Sequence, residues 1–498
     1  MQGTSDATQR CEVAVVGAGF GGLAMVHALA QAGIDDVVVL ERSHGVGGTW
    51  RENTYPGAAC DVPSHLYSLS FAPNPTWSRV FARQPEILRY VEDCYDRLDA
   101  RAHVRFGVEV VEASWDAATA HWQVTARDGR TVQGRVLVWA TGTFHTPVRP
   151  GLPGLEDYTG TVFHSAQWTH GHDLRGARVA VIGTGASAIQ IVPELAGHAS
   201  QVDIYQRTPA WILPRPDGPY SAEQQRMFTD DPAAMLAHRT EWHDRLENAQ
   251  TFVIGDPTAA FIEQGAYAYL DNAVADPELR AALTPRYPIG CKRVLISSDF
   301  YPAVQRDDVT LVTTPIERIT ATGVRTHDGV ERPADTMVLA TGFRAADYLH
   351  GITVRGRDGR DLHAQWAGTP RAFHGMAVPG FPNQFLMYGP NTNQGGNSIL
   401  LMLEAQATFI TGAVRALRDR DLASVEVRDD AMDAYLAELT TAMKGTVWYD
   451  GCDSYFRNAD GEVVTQLPHT TGWYAEQTAT FPIGDFMSSP TANASMAP

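Results

Sequence analysis

Two short glycine-rich segments have the spacing of a loop that binds a dinucleotide. Each follows an apolar run and precedes a helical pattern, with small residues at the first, third and sixth positions: Gly17, Gly19 and Gly22 in one segment, and Gly183, Gly185 and Ala188 in the other. In such a loop the first glycine allows a tight turn, the second lets a pyrophosphate approach the backbone, and the third packs the helix against the strand. Free N–H groups at the helix N-terminus then hold the anion. The sequence therefore predicts two dinucleotide sites.

One charged residue follows each glycine segment at the same distance. Glu41 is separated from Gly17 by the same length of chain that separates Arg207 from Gly183. A carboxylate at this position can accept hydrogen bonds from ribose hydroxyls and would repel a 2′-phosphate, whereas an arginine can bind one. We therefore predict that the first site binds FAD and the second binds NADPH.

A chain with two such sites is typically a flavin enzyme that takes hydride from NADPH, and other residues decide what the reduced flavin does. Disulfide reductases share this plan, but they require two redox-active cysteines a few residues apart. The chain has five cysteines, at positions 11, 60, 94, 291 and 452, and even the closest two, Cys60 and Cys94, are far apart in sequence. Their spacing argues against a disulfide reductase, a disulfide framework and a zinc site, and it predicts a cytoplasmic protein.

Several longer motifs surround the two glycine segments. They are Gly47-Gly48-Thr49-Trp50 with Tyr55-Pro56-Gly57 and Cys60-Asp61 behind it, Tyr158-x-Gly160-x-x-x-His164-x-x-x-Trp168-Thr169, Gly290-Cys291-Lys292-Arg293 leading to Asp299-Phe300-Tyr301-Pro302, and Gly380-Phe381-Pro382-Asn383 with Gly389-Pro390-Asn391-Thr392-Asn393. Together, over about residues 12–475, they resemble the motifs of the type I Baeyer–Villiger monooxygenases, within the wider flavin-dependent monooxygenases.

The resemblance implies a chemistry for the reduced flavin and roles for two charged residues. In this family the reduced flavin and O₂ form a C4a-peroxyflavin that attacks a ketone, and one oxygen atom is inserted beside the carbonyl to give an ester or lactone. The peroxide must be an anion, which a nearby permanent cation favours. By resemblance that cation is Arg293, and Asp61 is the carboxylate that pairs with it and positions it.

The resemblance also assigns residues to the cofactors. Arg207, Thr208 and Lys292 match the family's clamp on the 2′-phosphate of NADPH. Lys292 has independent support, because Lys444 is the only other lysine of the chain. The positions that match the flavin-binding motifs are Thr49, Trp50, Asp61 and Asn391. His164 matches a position that places the NADPH-binding domain, and its role stays open between that placement and simple packing.

Departures from the family motifs leave the substrate open. Tyr158 and Thr169 differ from the signature, and Tyr455 and Leu467 stand where the family often has tryptophan near the pocket.

Two other functions also stay open. One is a flavin monooxygenase that oxidises nitrogen or sulfur, whose neutral hydroperoxide does not need Arg293. The other is a catalytically silent sensor of NADPH or flavin.

These motifs need elements that hold them in place. Apolar runs before the glycine segments and helical patterns after them indicate an α/β chain, with two Rossmann-like dinucleotide-binding domains and an inserted helical subdomain. The predicted boundaries are an FAD-binding domain from residues 1–150 and 346–480, an NADPH-binding domain from 151–218 and 286–345, a helical insertion at 219–285 and a disordered tail at 481–498.

Composition and charge restrict the partners. Of 498 residues, 44% are hydrophobic, and 57 acidic against 39 basic residues give a net charge of −18. This sign disfavours nucleic acid and anionic membranes as partners. The partners that the family resemblance implies are a small-molecule ketone and O₂. The uncharged stretch 13–34 is long enough to cross a membrane, but its glycines indicate a strand, a turn and a helix instead.

Overall fold

The structure is a computed structural model that describes residues 9–449 and 452–491. Its strands, in chain order, are β1 Gln9–Val16, β2 Val37–Glu41, β3 Val104–Phe106, β4 Val110–Asp116, β5 His121–Ala126, β6 Thr131–Trp139, β7 Thr161–His164, β8 Arg178–Ile182, β9 Gln201–Tyr205, β10 Ile212–Leu213, β11 Leu295–Ile296, β12 Val309–Val312, β13 Ile316–Ile319, β14 Gly323–Thr326, β15 Glu331–Pro333, β16 Thr336–Leu339, β17 Thr353–Arg355, β18 Gln384–Leu386, β19 Leu422–Val427 and β20 Phe486–Pro490. Its α-helices are α1 Phe20–Gln31, α2 Thr49–Glu52, α3 Gln84–Arg97, α4 Ala186–Leu195, α5 Ala222–Asp230, α6 Pro232–Glu247, α7 Pro257–Ala273, α8 Pro277–Leu283, α9 Phe300–Val304, α10 Leu362–Trp366, α11 Ile399–Asp419, α12 Asp429–Met443 and α13 Thr471–Gln477.

The larger sheet is built around β1. Its order is β17-β4-β5-β6-β1-β2-β3, and β18 also pairs with β6. β1 runs parallel to both neighbours, so that Val15 aligns with Val39 on one side and Val138 on the other. Val15 faces the hydrophobic core that contains α1, whereas Ala14 faces a separate core on the opposite side of the sheet. A strand buried on both faces must be apolar, which explains the uncharged run that begins at Val13.

A smaller parallel sheet repeats this design. Its order is β12-β9-β8-β16-β7, with every pair parallel. Helix α4 follows β8 as α1 follows β1, and a glycine segment lies between strand and helix in both places. The predicted α/β class with two Rossmann-like domains is confirmed.

The helical insertion begins and ends at neighbouring positions in the fold. Helices α5 to α8 lie between β10 and β11, and these two short strands pair with each other in parallel. Leu213 aligns with Ile296, so the chain returns beside the strand that it left before the insertion. The pairing therefore fixes Arg293 relative to the segment that precedes the insertion.

The last part of the chain completes the larger sheet. β17 pairs with β4 and β18 with β6, both in parallel. Among the described residues, α11 is the one helix long and apolar enough to cross a membrane, but it lies mostly buried against α1. It is therefore a core helix of this part of the molecule.

The C-terminal segment corrects one prediction. Disorder was expected from residue 481 onward, but Phe486–Pro490 forms β20, which pairs antiparallel with β19. The side chain of Phe486 is buried against Phe373, Phe409 and Phe481. These aromatic contacts hold the start of a segment whose abundance of Ser, Ala, Pro and Met predicts a disordered tail. Residues 492–498 lie outside the described residues.

Candidate active site

The two glycine turns have almost the same backbone geometry. Gly17 and Gly183 have φ angles of +109° and +112°, which lie in the region that favours glycine. A Cβ at Gly17 would overlap the carbonyl oxygen of Ala140, and one at Gly183 would lie 2.6 Å from the carbonyl oxygen of Ala340. In both sheets, therefore, the turn presses against the end of a neighbouring strand, and only glycine fits there.

The residues after each turn form an open cradle. Gly19 and Gly185 are the N-cap residues of α1 and α4, so no side chain occupies either helix N-terminus. A Cβ at Gly185 would meet no atom within 4 Å. Gly22 packs so tightly that a Cβ would overlap the carbonyl oxygen of Gly17, while Ala188 is fully buried at the matching position of α4. Open N–H groups at both helix starts fit a pyrophosphate.

The charged residues after the turns differ in environment as well as sign. Glu41 ends β2 and is buried, and its carboxylate accepts hydrogen bonds from the N–H groups of Ala18 and Ser43, both at 2.8 Å. It therefore braces the glycine loop, and each carboxylate oxygen keeps a second acceptor site for a ribose hydroxyl. Arg207 is exposed, next to Thr208, whose carbonyl accepts the Thr184 hydroxyl.

Two cations lie together at the second cradle. Lys292 sits over the ring of Tyr287, with Nζ 5.0 Å from the ring centroid. Burial lowers the pKa of Lys292, and the charge of Arg207 lowers it further. Neither cation forms an ion pair with a carboxylate of the described residues, and Asp453 acts on Lys292 only as a weaker attraction. Two unpaired neighbouring cations fit a phosphate group between them.

Arg293 and Asp61 form a bidentate ion pair across 232 residues of sequence. Arg293 Nε donates to Asp61 Oδ2 at 2.8 Å and Nη2 donates to Oδ1 at 2.9 Å. Burial alone would raise the pKa of Asp61, but the charge and hydrogen bonds of Arg293 outweigh it and hold this pKa below its usual value. The charge of Asp61 raises the pKa of Arg293 despite burial. Both groups therefore stay ionised at working pH.

Known proteins with similar sequences include flavin-dependent monooxygenases. A family model described as pyridine nucleotide-disulphide oxidoreductase matches residues 14–223. A "Baeyer-Villiger monooxygenase" of Pseudomonas aeruginosa is 40% identical over 96% of this chain and 92% of its own length. The "FAD-binding monooxygenase ktnD" of Aspergillus niger is 38% identical over 98% of this chain and 83% of its own. The chain belongs to the Baeyer–Villiger monooxygenase family.

A solved member of this family has the same fold. The crystal structure of cyclohexanone monooxygenase from Rhodococcus sp. Phi1 bound to NADP⁺ matches with a TM-score of 0.86 and 29% identity, over 97% of this chain and 100% of that one. The resemblance drawn from the motifs is thereby confirmed. The disulfide-oxidoreductase model covers both glycine segments and Arg207 but ends before Lys292. Its span holds Cys60 and Cys94, both buried and unpaired.

Two tyrosines close around Arg293 in this Baeyer–Villiger family member. The backbone N–H of Arg293 donates to the Tyr455 hydroxyl at 3.4 Å, and Tyr455 keeps 59% of its surface exposed. Tyr388 also acts electrostatically on Arg293, and burial raises the pKa of Tyr388 to about 12. In the sequence, Tyr455 marks only a departure from the family tryptophan. Nothing in the sequence pattern pointed to Tyr388.

The other predicted flavin-binding residues have clear structural neighbours. Thr49 and Trp50 open α2 directly after Gly48, whose Cα would lie 3.7 Å from a Cβ at Gly19. Asn391 donates both N–H groups of its side chain to backbone carbonyls, those of Val463 at 2.9 Å and Gln466 at 3.1 Å. The side chain of Asn391 therefore braces the returning segment, and its contact with a cofactor stays a prediction.

His164 lies where two connections between the sheets cross. The segments 140–148 and 340–344 pair here, with the Val148 N–H donating to the Gly342 carbonyl at 2.8 Å. The His164 Nδ1 accepts the Ala166 N–H at 3.1 Å, and its ring packs against Phe343. Burial lowers the pKa of His164, so the ring is neutral. These contacts favour a role in holding the crossing over a role as a base.

The cysteines correct another prediction. The wide spacing predicted no disulfide, but Cys291 and Cys452 form one across 161 residues. Cys291 directly precedes Lys292 and Arg293, and Cys452 lies shortly before Tyr455. The bond therefore ties the loop that carries both cations to the segment that carries Tyr455. Sequence spacing misses it because only the fold brings the two segments together.

Thiol counting tests this pairing and the disulfide-reductase alternative together. Unfolded, unreduced protein is expected to expose three thiols, and five after a reductant is added. Incubation with NADPH without O₂ is expected to leave three, because a monooxygenase passes its electrons to O₂. A thiol-specific dye added to denatured protein measures each count. Five thiols after NADPH alone would contradict the monooxygenase assignment, and five before any reductant would contradict the disulfide.

Proposed function

We propose that the protein is an FAD- and NADPH-dependent monooxygenase, which inserts one oxygen atom of O₂ next to a ketone carbonyl to give an ester or lactone. The observation that carries the proposal is the ion pair of Arg293 and Asp61, formed between segments that accompany the two dinucleotide cradles. Monooxygenases that oxidise nitrogen or sulfur use a neutral oxidant and do not need such a fixed cation.

The cradles support the choice of cofactors. Gly17, Gly19 and Glu41 have the shape and charge for the pyrophosphate and ribose of FAD. Arg207 and Lys292 at the second cradle suit the 2′-phosphate that distinguishes NADPH from NADH. When bound and reduced by NADPH, FAD would supply the electrons that activate O₂ for insertion.

The geometry of Arg293 explains what the protein adds to this chemistry. A guanidinium has five N–H donors, and Asp61 accepts two of them. The remaining three donors lie in the plane of the guanidinium and are directed away from Asp61. The two bonds to Asp61 fix the orientation of that plane. A permanent charge fixed before reaction stabilises negative charge that develops on oxygen, without the cost of reorganising the site.

The proposal includes partners and location. The substrates are a small-molecule ketone and O₂, and we expect neither a nucleic acid nor a membrane partner. The net charge of −18 and the burial of α11 within the core support these exclusions. We propose a cytoplasmic location because Cys11, Cys60 and Cys94 are free, although the Cys291–Cys452 disulfide is a bond that is rare in that compartment.

A panel of substrates with NADPH tests the reaction. We expect cyclic or linear ketones to give products heavier by one oxygen atom, with a single labelled oxygen when ¹⁸O₂ is used. The panel includes a thioether as a comparison, and mass spectrometry identifies the products. Oxidation of the thioether alone would support the sulfur-oxidising alternative. NADPH oxidation without any oxygenated product from the panel would contradict the proposed function.

A further inference from the structure

A second guanidinium holds the loop that carries Asp61. Arg215 closely follows β10, and its side chain is only 15% exposed. Its Nη2 donates to the carbonyl of Cys60 at 2.9 Å and to that of Phe81 at 3.4 Å, and its guanidinium lies 5.0 Å from the centroid of the Phe81 ring. Cys60 immediately precedes Asp61, so Arg215 fixes the backbone from which the carboxylate projects.

Arg215 is itself held by the strand pair that positions Arg293. The backbone N–H of Arg215 donates to the Ser298 hydroxyl at 3.0 Å, and that hydroxyl donates back to the Arg215 carbonyl at 3.1 Å. Ser298 follows β11, and Arg293 precedes it. The paired strands β10 and β11 therefore present two arginines to one short loop. One binds the carboxylate of Asp61, and the other binds the backbone beside it.

A further ion pair reinforces this arrangement. Asp217 accepts the Nη2 of Arg79 at 2.7 Å and its Nε at 3.0 Å, and it also accepts the N–H of Phe81 at 3.2 Å. The Nε of Arg215 lies 3.8 Å from the Asp217 carboxylate. Asp217 thus orients Arg215 while binding the same stretch of chain, residues 79–81, that Arg215 contacts.

We propose that Arg215 is a positioning residue for oxygen insertion, which sets the Asp61 carboxylate in the plane where it holds Arg293. The proposal rests on the proposed function, since it assigns Arg215 to the same reaction. It predicts that losing Arg215 impairs oxygen transfer, which depends on the orientation of Arg293, more than hydride transfer, which depends on the cradles. A residue that merely joins the two segments would affect both steps alike.

The surroundings of Asp61 give this proposal a pH signature. The groups that face its carboxylate are Arg293, Arg215, Cys60, Tyr55, Tyr67 and Tyr455. Burial raises the pKa of the cysteine and of each tyrosine, so the two arginines are the only charges among them. Both arginines lower the pKa of Asp61. Removing Arg215 therefore raises that pKa, and oxygenation should be lost at a higher pH as the solution is acidified.

Three variants separate these possibilities: Arg215→Gln, Arg215→Lys and the control Arg83→Gln. Arg83 pairs with Glu194 of α4 and so joins the same two parts of the molecule, but it is exposed and does not contact Asp61. For Arg215→Gln we expect FAD content and the rate of flavin reduction within about twofold of wild type, and product formed per NADPH about tenfold lower, as for loss of a charged hydrogen bond. Arg215→Lys keeps the charge and can still donate to both carbonyls, but it lacks the planar group that lies over the Phe81 ring and the Nε that faces Asp217. It should be intermediate in product yield and should keep the wild-type acid limb, which is the fall in oxygenation as the pH is lowered.

A measurement that does not depend on turnover completes the test. Hydrogen–deuterium exchange of the peptide spanning residues 58–64 should be faster in Arg215→Gln than in wild type or Arg83→Gln. Wild-type product yield, acid limb and amide protection in Arg215→Gln would overturn the proposal, as would equal loss in Arg83→Gln. If Arg215→Gln does not fold, Arg215→Lys carries the same comparison. The exchange result stands even if no ketone is oxidised, so failure of the proposed function remains distinguishable.

Discussion

Arg293→Ala is expected to retain reduction of the flavin by NADPH and to lose oxygen insertion by two to three orders of magnitude. Removing one fixed charge aimed at a developing anion typically costs about 3–4 kcal/mol in the transition state. Hydride transfer should survive because it depends on the two cradles, which Arg293 does not form. Anaerobic stopped-flow spectra measure the first step by loss of flavin absorbance, and product analysis measures the second. Electrons that no longer reach the ketone should appear as hydrogen peroxide.

Two further variants show whether the geometry of Arg293 matters as well as its charge. Arg293→Lys should recover little activity, because an ammonium lacks the planar fork that meets both oxygens of Asp61. Arg286→Ala serves as the control, since Arg286 is an exposed arginine on the same loop. Ester formation by Arg293→Ala at a rate near that of wild type would show that Arg293 is a structural charge and that the proposed mechanism is wrong.

Arg207→Ala is expected to raise the KM for NADPH by ten- to a hundredfold and to change the use of NADH little. Arg207 and Lys292 lie together without a carboxylate partner among the described residues, so the 2′-phosphate is the anion that they suit. Losing one charged hydrogen bond typically costs about 1.5–3 kcal/mol, which corresponds to this range. NADH lacks the phosphate and therefore gains nothing from the arginine.

The comparison needs steady-state kinetics with both nucleotides. Lys444→Ala is a suitable control, because it removes the only other lysine, which is exposed at the end of α12. Wild-type enzyme should prefer NADPH strongly. Equal use of NADH and NADPH by wild type would contradict the assignment of Arg207 and Lys292 to the phosphate.

What the sequence could predict was local. The strand, turn and helix at Gly17 follow from a few consecutive residues, and the structure matches them because a buried parallel strand must be apolar and its turn must be glycine. The contrast of Glu41 and Arg207 could also be predicted, because each residue follows its own glycine segment at the same short distance in sequence. The repeated helical pattern of the insertion also needed no knowledge of tertiary contacts.

The features that the sequence missed depend on distant segments. Arg293 meets Asp61 across 232 residues, and the motifs paired them only through resemblance to a family. The disulfide of Cys291 and Cys452 has no local signal. Phe486 becomes ordered because three aromatic side chains from elsewhere surround it. In each case the deciding contact is made by the fold and not by neighbours in sequence.

The discontinuity of the larger sheet has a consequence for how the protein is made. The β1–β6 part leaves the ribosome first, but β18 and α11, which complete its core, end at Leu386 and Asp419. At about 5–20 residues per second, α11 is finished roughly 15 to 60 seconds after β6. The last strand of the smaller sheet ends at Leu339, so this sheet can bury its core before α11 has been synthesised. Until then, the apolar surface of α1 that packs against α11 stays exposed. We therefore expect a stage of synthesis in which the second Rossmann unit is folded while the first still exposes apolar surface to chaperones and aggregation. We expect FAD to bind only near the end of synthesis.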